Sequence, residues 1–231
     1  MLRFCVVFLS VILISNIGFA REGAKMTENI KWLGHDTFFI KAEKTVITDP
    51  FKVKGDYKAD VILITHDHFD HCVPEDVKKV QKDDSIIVTT ADCAKKLSGN
   101  IKIVKPGDKI TAHGIEIEAV PAYNTNKNFH PKETGWVGFI FKVDGKRIYI
   151  AGDTDYIPEM KTFKDVDIAL LPVSGTYVMT AEEAVQAALD IKPKVVIPMH
   201  YGAIVGSEDD AKRFADALKG KVDVIILKQE Q

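Results

Sequence analysis

The order of hydrophobic and polar positions predicts a chain built mainly of short strands. Ten segments are apolar runs or alternate with a period of two, as buried or half-buried strands do. The predicted strands span residues 38–42, 45–50, 61–65, 85–90, 115–120, 137–143, 147–153, 167–173, 194–200 and 222–227. An Asp-Gly pair within residues 143–146 predicts a hairpin turn between two of them.

Three segments have helical spacing instead. Residues 73–82 carry Pro74 in the first turn, and residues 180–190 begin with Thr180 and Glu183 in the spacing of a capping box. Residues 207–220 place apolar side chains on one face and end at a glycine. Strands in runs that are followed by helices indicate sheets with helices outside them, which is a layered α/β protein.

The first twenty residues differ from the rest of the chain. After Arg3 they form an uncharged apolar run to Ile17, and small residues stand at Gly18 and Ala20. This pattern is typical of a secretory signal peptide cleaved after Ala20. It predicts a periplasmic or secreted protein, without stable membrane insertion after cleavage, whose single domain spans residues 21–231. The alternative is a membrane anchor, since the apolar span lies at the short edge of what a spanning helix needs.

Composition narrows the class of partner. The chain has 231 residues, of which 46% are hydrophobic and 28% charged, and its net charge is −2. Because no basic block is present, a nucleic-acid partner is not indicated and we expect a small-molecule substrate. Two cysteines follow the predicted signal, Cys72 and Cys93. They could pair in an oxidising compartment, and buried free thiols are the alternative.

The candidate chemistry follows the strand ends. Residues 65–71 contain Asp70 and three of the seven histidines of the chain, His66, His68 and His71. Other apolar runs lead into residues 123–125, Asp153 and His200. Sites on sheet proteins of this kind collect at the carboxyl ends of strands, so these segments could form one pocket. Imidazole and carboxylate ligands suit zinc, iron or manganese, and the sequence therefore predicts a metal centre.

At these residues the chain resembles the metallo-β-lactamase-fold hydrolase superfamily. The likeness is carried by residues 66–71, by Asp153 in "AGDTD" and by His200 in "PMHYG". Segments 32–40, 48–51, 170–172 and 193–202 more narrowly resemble the branch of ascorbate-phosphate lactonases and N-acyl-phosphatidylethanolamine phospholipase D. The resemblance implies an αββα four-layer sandwich with the metal site along one edge of the two sheets.

The resemblance also implies which residues hold two divalent ions, which we expect to be Zn²⁺, with Mn²⁺ or iron as alternatives. The first ion would be held by His66, His68 and a third imidazole. The second would be held by Asp70, His71 and His200, and Asp153 would bridge the two.

One position departs from the pattern of this superfamily. Asn124 stands where members commonly place the third histidine of the first site. We predict that His130, six residues further on, takes that role. The alternative is that Asn124, or a water held by it, completes the first site. Because an amide is a poor zinc ligand beside imidazoles, the sequence alone predicts a small effect of removing Asn124.

The predicted function is a metal-dependent hydrolase that uses a metal-bound hydroxide on an ester, lactone or phosphodiester. Asp70 would orient the nucleophile or accept a proton, and His35 is expected at the pocket rim in a supporting or substrate-binding role. The alternatives are a non-hydrolytic metal-binding or iron redox protein of the same fold, and a β-lactamase. The resemblance disfavours a β-lactamase, because lactamases of this fold lack an aspartate at the position of Asp153.

Overall fold

The structure of the chain is a computed structural model that describes residues 23–230, and the predicted signal peptide lies outside them. Residues 23–27, the first that it describes, are helical (α1). The other helices are α2 (Pro74–Val80), α3 (Ala91–Ala94), α4 (Ala181–Ile191) and α5 (Glu208–Leu218). Within the described range no helix combines the length and the apolar character needed to cross a membrane.

Thirteen described strands form two sheets. The first sheet has the order β1 (Ile30–Gly34), β2 (Thr37–Ile40), β3 (Val46–Thr48), β4 (Ala59–Leu63), β5 (Gln81–Thr89) and β6 (Asn100–Ile103). The second has the order β13 (Asp223–Val224), β12 (Val195–Met199), β11 (Ile168–Pro172), β10 (Lys146–Ile150), β9 (Val137–Val143), β8 (Ile115–Pro121) and β7 (Lys109–Ala112). Strands β3 to β6 are parallel to one another, as are β10 to β13.

The alternation of side chains along the strands produces the layers. Phe38 and Leu63 of the first sheet belong to the same apolar cluster as the second sheet and helices α4 and α5. Their neighbours Phe39 and Ile62 point to the opposite face and pack with Val77 of α2 and with α3. Both faces of the first sheet are therefore buried, and the four layers are helix, sheet, sheet and helix. This confirms the predicted αββα fold class.

Capping residues begin two helices, and an Asp-Gly pair forms the predicted hairpin turn. Thr180 and Glu183 form a reciprocal capping box at the start of α4, and Ser207 caps α5 together with Asp210. The hairpin between β9 and β10 turns at Asp144 (φ 47°) and Gly145 (φ 74°), the left-handed conformations that an Asp-Gly turn favours.

Several predicted boundaries were wrong for physical reasons. The helix predicted over 73–82 ends at Val80, because Gln81 is extended (φ −68°, ψ 143°) and already begins β5. The strand predicted over 222–227 is reduced to Asp223–Val224 at a half-exposed sheet edge. Strands β1, β6 and β7 were not predicted. The last two consist of exposed and half-buried positions apart from the buried Ala112, which leaves only a weak hydrophobic pattern.

Candidate metal centre

The strand ends bring the predicted site residues together. Residues 66–71 follow β4, Asp153 follows β10, His200 follows β12, and His130 lies in the loop between β8 and β9. The turn after β4 is closed by the backbone N–H groups of His71 and Cys72, which both donate to the carbonyl oxygen of His68. This turn lets side chains that are close in sequence point toward a common centre.

Four side chains form a first group of donors, His66, His68, His130 and Asp153, and their ligand atoms all lie within 4.8 Å of one another. His66 Nε2 is 3.1 Å from His68 Nδ1 and 3.9 Å from Asp153 Oδ2. His130 Nε2 is 3.2 Å from the same Asp153 oxygen. Ligands about 2.0–2.1 Å from a tetrahedral ion are separated by roughly 3.3 Å, so these distances match the edges of one coordination shell.

A second group adjoins the first. His35, Asp70, His71 and His200 also place their ligand atoms within 4.8 Å of one another. Asp153 contributes here through its other oxygen, since Oδ1 is 3.2 Å from His200 Nε2 and 3.4 Å from His71 Nε2. The Asp153 carboxylate thus turns one oxygen to each group.

Asp153 is ionised in this setting. Its burial would raise the pKa of the carboxyl group, but the imidazoles of His200 and His71 outweigh burial and hold the pKa well below its usual range. A buried carboxylate that turns one oxygen to each of two groups of candidate metal ligands is suited to bridge two cations.

The hydrogen bonds behind two imidazoles fix which ring nitrogen carries the proton. Thr65 donates its hydroxyl to Asp49 Oδ2 (2.8 Å), so it can only accept from His66 Nδ1 (2.9 Å). His71 Nδ1 lies 2.9 Å from the same Asp49 oxygen and donates to it. When these two rings are neutral, each therefore turns an unprotonated Nε2 toward the centre, as metal-ligating histidines do.

Several buried acceptors in the centre lack a donor. The Nε2 atoms of His71, His130 and His200 and Oδ1 of Asp153 form no hydrogen bond, although all four are buried. Facing acceptors without a donor or cation between them are unfavourable in a buried site. Divalent ions would satisfy these atoms, and the residues present fit two such ions.

Burial and the nearby carboxylates shift the pKa values of the imidazoles in opposite directions. Burial lowers the pKa of His66 well below its ordinary value. At His71 and His200 burial also lowers the pKa, but the surrounding carboxylates, Asp153 foremost, together outweigh burial and the pKa is raised. A proton and a metal ion therefore compete for Nε2 of these two rings.

His35 does not lie at the pocket rim that the sequence suggested. Its side chain is 1% exposed, and Nε2 is 3.1 Å from Asp70 Oδ2. Burial lowers the pKa of His35 to about 4, so the ring is neutral near pH 7. Donation of Nε2–H to Asp70 would orient that carboxylate, which places His35 behind a candidate ligand rather than in contact with substrate.

Two carboxylates of the centre were missed by sequence reasoning. Asp49 supports both His71 and Thr65, and its position directly after β3 in the "TDPF" segment was the available signal. Asp36 is fully buried, neither of its oxygens has a hydrogen-bond partner, and it lies within reach of Asp153 and His200. Burial raises the pKa of Asp36 to about 7. No pattern in the sequence distinguished Asp36 from an ordinary loop residue.

Several polar residues of the neighbouring loops lie outside the centre. Asn124 is behind His130, with its Oδ1 3.0 Å from His130 Nδ1. Lys127 pairs with Asp155, and Lys132 with Glu159. His113 forms the turn between β7 and β8 and receives no chemical role.

Cys72 and Cys93 are joined by a disulfide, which resolves the alternatives left open by the sequence. The bond links the residue after His71 to helix α3. Next to it, Asp92 accepts the indole N–H of Trp136 (2.6 Å). The Trp136 ring packs against three imidazoles of the centre, with centroid distances of 4.9 Å to His66, 4.7 Å to His68 and 5.6 Å to His130.

Comparison with known proteins agrees with this geometry. The β-lactamase superfamily domain matches residues 29–200 of the chain. A UPF0173 metal-dependent hydrolase of Thermoplasma acidophilum is 35% identical over 217 residues, which cover 87% of this chain and 95% of that protein. Among solved structures, a candidate metal-dependent hydrolase from Parabacteroides distasonis is 39% identical with a TM-score of 0.77, covering 87% of this chain and 93% of the other.

A more distant structure shares the fold. Igni18, a metallo hydrolase of Ignicoccus hospitalis, is 24% identical with a TM-score of 0.70, over 87% of this chain and 95% of that chain. The narrower likeness to ascorbate-phosphate lactonases and N-acyl-phosphatidylethanolamine phospholipase D stays a prediction. The extent of the family match and the identity to full-length relatives show that this chain belongs to the metallo-β-lactamase superfamily, among the UPF0173 metal-dependent hydrolases.

Proposed function

We propose that this chain is a binuclear metal-dependent hydrolase acting on an ester, lactone or phosphodiester. The observation that carries the proposal is the Asp153 carboxylate, whose Oδ1 faces His71 and His200 while Oδ2 faces His66 and His130. The first donor group, with three imidazoles and one carboxylate, is suited to zinc. The second group contains more carboxylate oxygen, which would also accept Mn²⁺ or iron.

Two divalent ions held by these groups would supply a hydroxide nucleophile at neutral pH and stabilise the negative charge that develops during attack. The protein residues complete the chemistry. Asp70 is 8% exposed and can accept a hydrogen bond from the attacking water, while His35 fixes its orientation from behind. Asp49 keeps the His71 ring turned toward the centre. After cleavage, the proton released from water passes to the leaving oxygen or to solvent.

The side chains around the centre support a substrate with an apolar part. Five large apolar side chains of residues 23–230 are exposed, and three of them stand in loops that carry candidate ligands. Phe69 (73% exposed) lies between His68 and Asp70, and Phe129 (49%) directly precedes His130. Ile204 (37%) lies in the same loop as His200, between β12 and α5. Apolar side chains grouped around a few convergent polar groups are typical of small-molecule sites.

We also propose that the chain is exported and cleaved after Ala20. The Cys72–Cys93 disulfide supports this proposal, because such bonds persist in oxidising compartments and are rare in the cytosol. Mass spectrometry of the native protein should find an amino terminus at Arg21. An intact Met1 in the membrane fraction would instead favour the anchor.

Metal analysis followed by substrate screening tests the proposed function. The purified wild type should contain close to two divalent ions per chain and hydrolyse members of an ester, lactone and phosphodiester panel. Removal of the metals with a chelator should abolish hydrolysis, and their return should restore it. Asp153→Ala should lower the content of both ions and reduce the rate by about a hundredfold or more, as loss of a charge-stabilising group does.

The exposed residue Asp56 provides a matched aspartate control. Asp56→Ala should retain both ions and the wild-type rate. Full hydrolytic activity of a metal-free wild type would overturn the proposal. So would a metal-loaded protein that hydrolyses no member of the panel but consumes oxygen, which would favour the iron redox alternative.

A further inference from the structure

The contacts of Asn124 determine the orientation of its side-chain amide. The backbone N–H of His130 donates to Asn124 Oδ1 (3.0 Å), and this contact requires an acceptor at that position. On the other side, Nδ2 lies 3.1 Å from Asp155 Oδ1 and 2.8 Å from the carbonyl oxygen of Tyr177, and both of these partners accept. Exchanging oxygen and nitrogen would make all three contacts unfavourable, so only one orientation fits.

This orientation fixes the proton of the His130 ring. His130 Nδ1 lies 3.0 Å from the same Asn124 Oδ1, and an oxygen that already accepts the backbone N–H can only accept here as well. Nδ1 therefore carries the hydrogen and Nε2 is left unprotonated. That Nε2 is buried, forms no hydrogen bond and faces Asp153 Oδ2 at 3.2 Å.

Asp155 anchors the amide from behind. Its side chain is fully buried, and it accepts from the backbone N–H of Thr125 (2.8 Å) and from Lys127 Nζ (2.5 Å) as well as from Asn124. The backbone of Asn124 donates in turn to the carbonyl oxygen of His130 (2.8 Å). The two residues are thus paired through main chain and side chain, and the pair is attached to a buried carboxylate.

We infer that Asn124 is a positioning residue which holds the His130 ring in the Nδ1–H tautomer and aims its Nε2 at the first metal. The inference rests on the proposed function for the identity of what Nε2 binds. From the sequence, His130 and Asn124 are alternative ligands of the first site. Here both residues contribute, His130 as the ligand and Asn124 as its support. The amide supports the imidazole in the way that carboxylates and carbonyls support metal-ligating histidines. The sequence alone predicted a small effect of removing Asn124, whereas this role predicts a large loss of metal affinity at the first site.

Three variants test this role. Asn124→Ala removes the acceptor. Asn124→Asp keeps an acceptor for His130 but loses the donor to Tyr177 and adds charge beside Asp155. Asn126→Ala is the matched control, since Asn126 is an exposed amide of the same loop whose side chain accepts a hydrogen bond from Lys127 and makes none to His130 among residues 23–230. The affinities of both metal sites are measured by calorimetric titration of Zn²⁺ into the metal-free proteins, and the unfolding temperature is measured in parallel.

The expected result is selective. Asn124→Ala should weaken the first site by about 10- to 100-fold, the usual cost of losing a group that orients a ligand, and leave the second site unchanged. Asn124→Asp should keep first-site affinity within a few-fold of the wild type even though it unfolds at a lower temperature. A purely structural role predicts instead that first-site affinity falls in both variants in proportion to lost stability, and that outcome would overturn the inference.

The tautomer is measured separately on the metal-free protein. Long-range ¹H–¹⁵N spectra, at a pH above the range in which imidazoles titrate, should show Nδ1–H for His130 in the wild type and in Asn124→Asp. Asn124→Ala should show a mixture of tautomers. An Nε2–H ring in the wild type would contradict the inference whether or not the protein binds metal. Correct tautomers in a protein that binds no metal would leave the pairing intact and overturn the proposed function instead.

Discussion

The two candidate metal sites recruit their ligands in different ways. His200 directly follows β12, whereas His71 lies eight residues beyond Leu63, the end of β4. Both are supported by segments that adjoin strands of the first sheet, because Asp49 directly follows β3 and His35 lies between β1 and β2. Asp49 accepts from the His71 ring, and the backbone N–H of His200 donates to the carbonyl oxygen of His35 (3.3 Å). His130 lies nine residues beyond Pro121, the end of β8, and its support is a set of side-chain contacts within one loop. A ligand that is held by segments next to sheet strands shares the rigidity of the sheet, whereas a ligand that is held within its own loop depends on a few polar contacts.

The largest expected effects come from removing one imidazole ligand, which should empty one metal site and leave the other filled. His130→Ala should remove one ion per chain and leave the site of Asp70, His71 and His200 occupied. His200→Ala should empty the second site and preserve the first. Each change should lower the hydrolysis rate by about a hundredfold or more, because in the proposed mechanism each ion would stabilise the charge that develops during attack. Metal content by mass spectrometry and steady-state rates provide the measurement.

His113 offers a matched histidine control, because it lies in the turn between β7 and β8, away from the candidate ligands, and its ring pairs with the backbone oxygen of Asp84. His113→Ala should retain both ions and full rate. If His130→Ala retained two ions as well, His130 would not be a ligand, and the contrast between a sheet-supported site and a loop-supported site would be wrong.

The disulfide should affect both sites rather than one. Cys72 closes the loop that carries His66, His68, Asp70 and His71, and its bond to Cys93 spans 21 positions of sequence. Closing a loop of that length stabilises a folded chain by about 3 kcal/mol in the chain-entropy description. The double variant Cys72→Ala/Cys93→Ala should therefore unfold at lower denaturant concentration and bind both ions more weakly, with no preference between them.

Chemical denaturation with and without a reductant measures this effect. Reductant should lower the midpoint of the metal-free wild type and leave that of the double variant unchanged. A reductant-insensitive wild type would show that the bond does not stabilise the loop. Selective loss of one site would assign the bond to that site alone.

The sequence predicted the parts of the molecule that local patterns determine. The layered α/β class, the capping box at Thr180 and the hairpin at Asp144 follow from residues close together in the chain, and the structure confirms them. The four-layer αββα arrangement was implied by the family resemblance and is confirmed as well. Residues 66–71 stood out because several ligand types follow a buried strand within one turn.

The supporting residues could not be predicted in the same way, because they act only across long sequence separations. Asp49 meets His71 over 22 positions, Asn124 meets Asp155 over 31, and Trp136 meets Asp92 over 44. Neither helical nor strand periodicity carries information about such contacts. The position of His35 was misjudged for the same reason, since a polar residue before a strand gives no sign that Asp70 and His200 will bury it.

The smallest effect concerns the apolar side chains at the mouth of the two sites. Phe129 packs edge-to-face on Tyr177 beside the first site, and Phe69 packs edge-to-face near Phe51 on the side of the second. If the substrate has an apolar part, Phe69→Ser and Phe129→Ser should each weaken binding of long-chain alkanoates to the metal-loaded protein by up to about tenfold, the equivalent of roughly 1.4 kcal/mol of lost apolar contact.

Binding of acetate should not change in these variants, because its carboxylate reaches the metals without an alkyl chain. The control is Ile103→Ser, since Ile103 is 59% exposed in β6 and belongs to none of the loops that carry ligands. A calorimetric series from acetate to decanoate measures the gain in affinity per methylene for each variant. If Phe129→Ser flattens that series and Phe69→Ser does not, the apolar part of the substrate lies over the loop-supported first site. Equal slopes in the wild type and both phenylalanine variants would show that these side chains do not contact substrate.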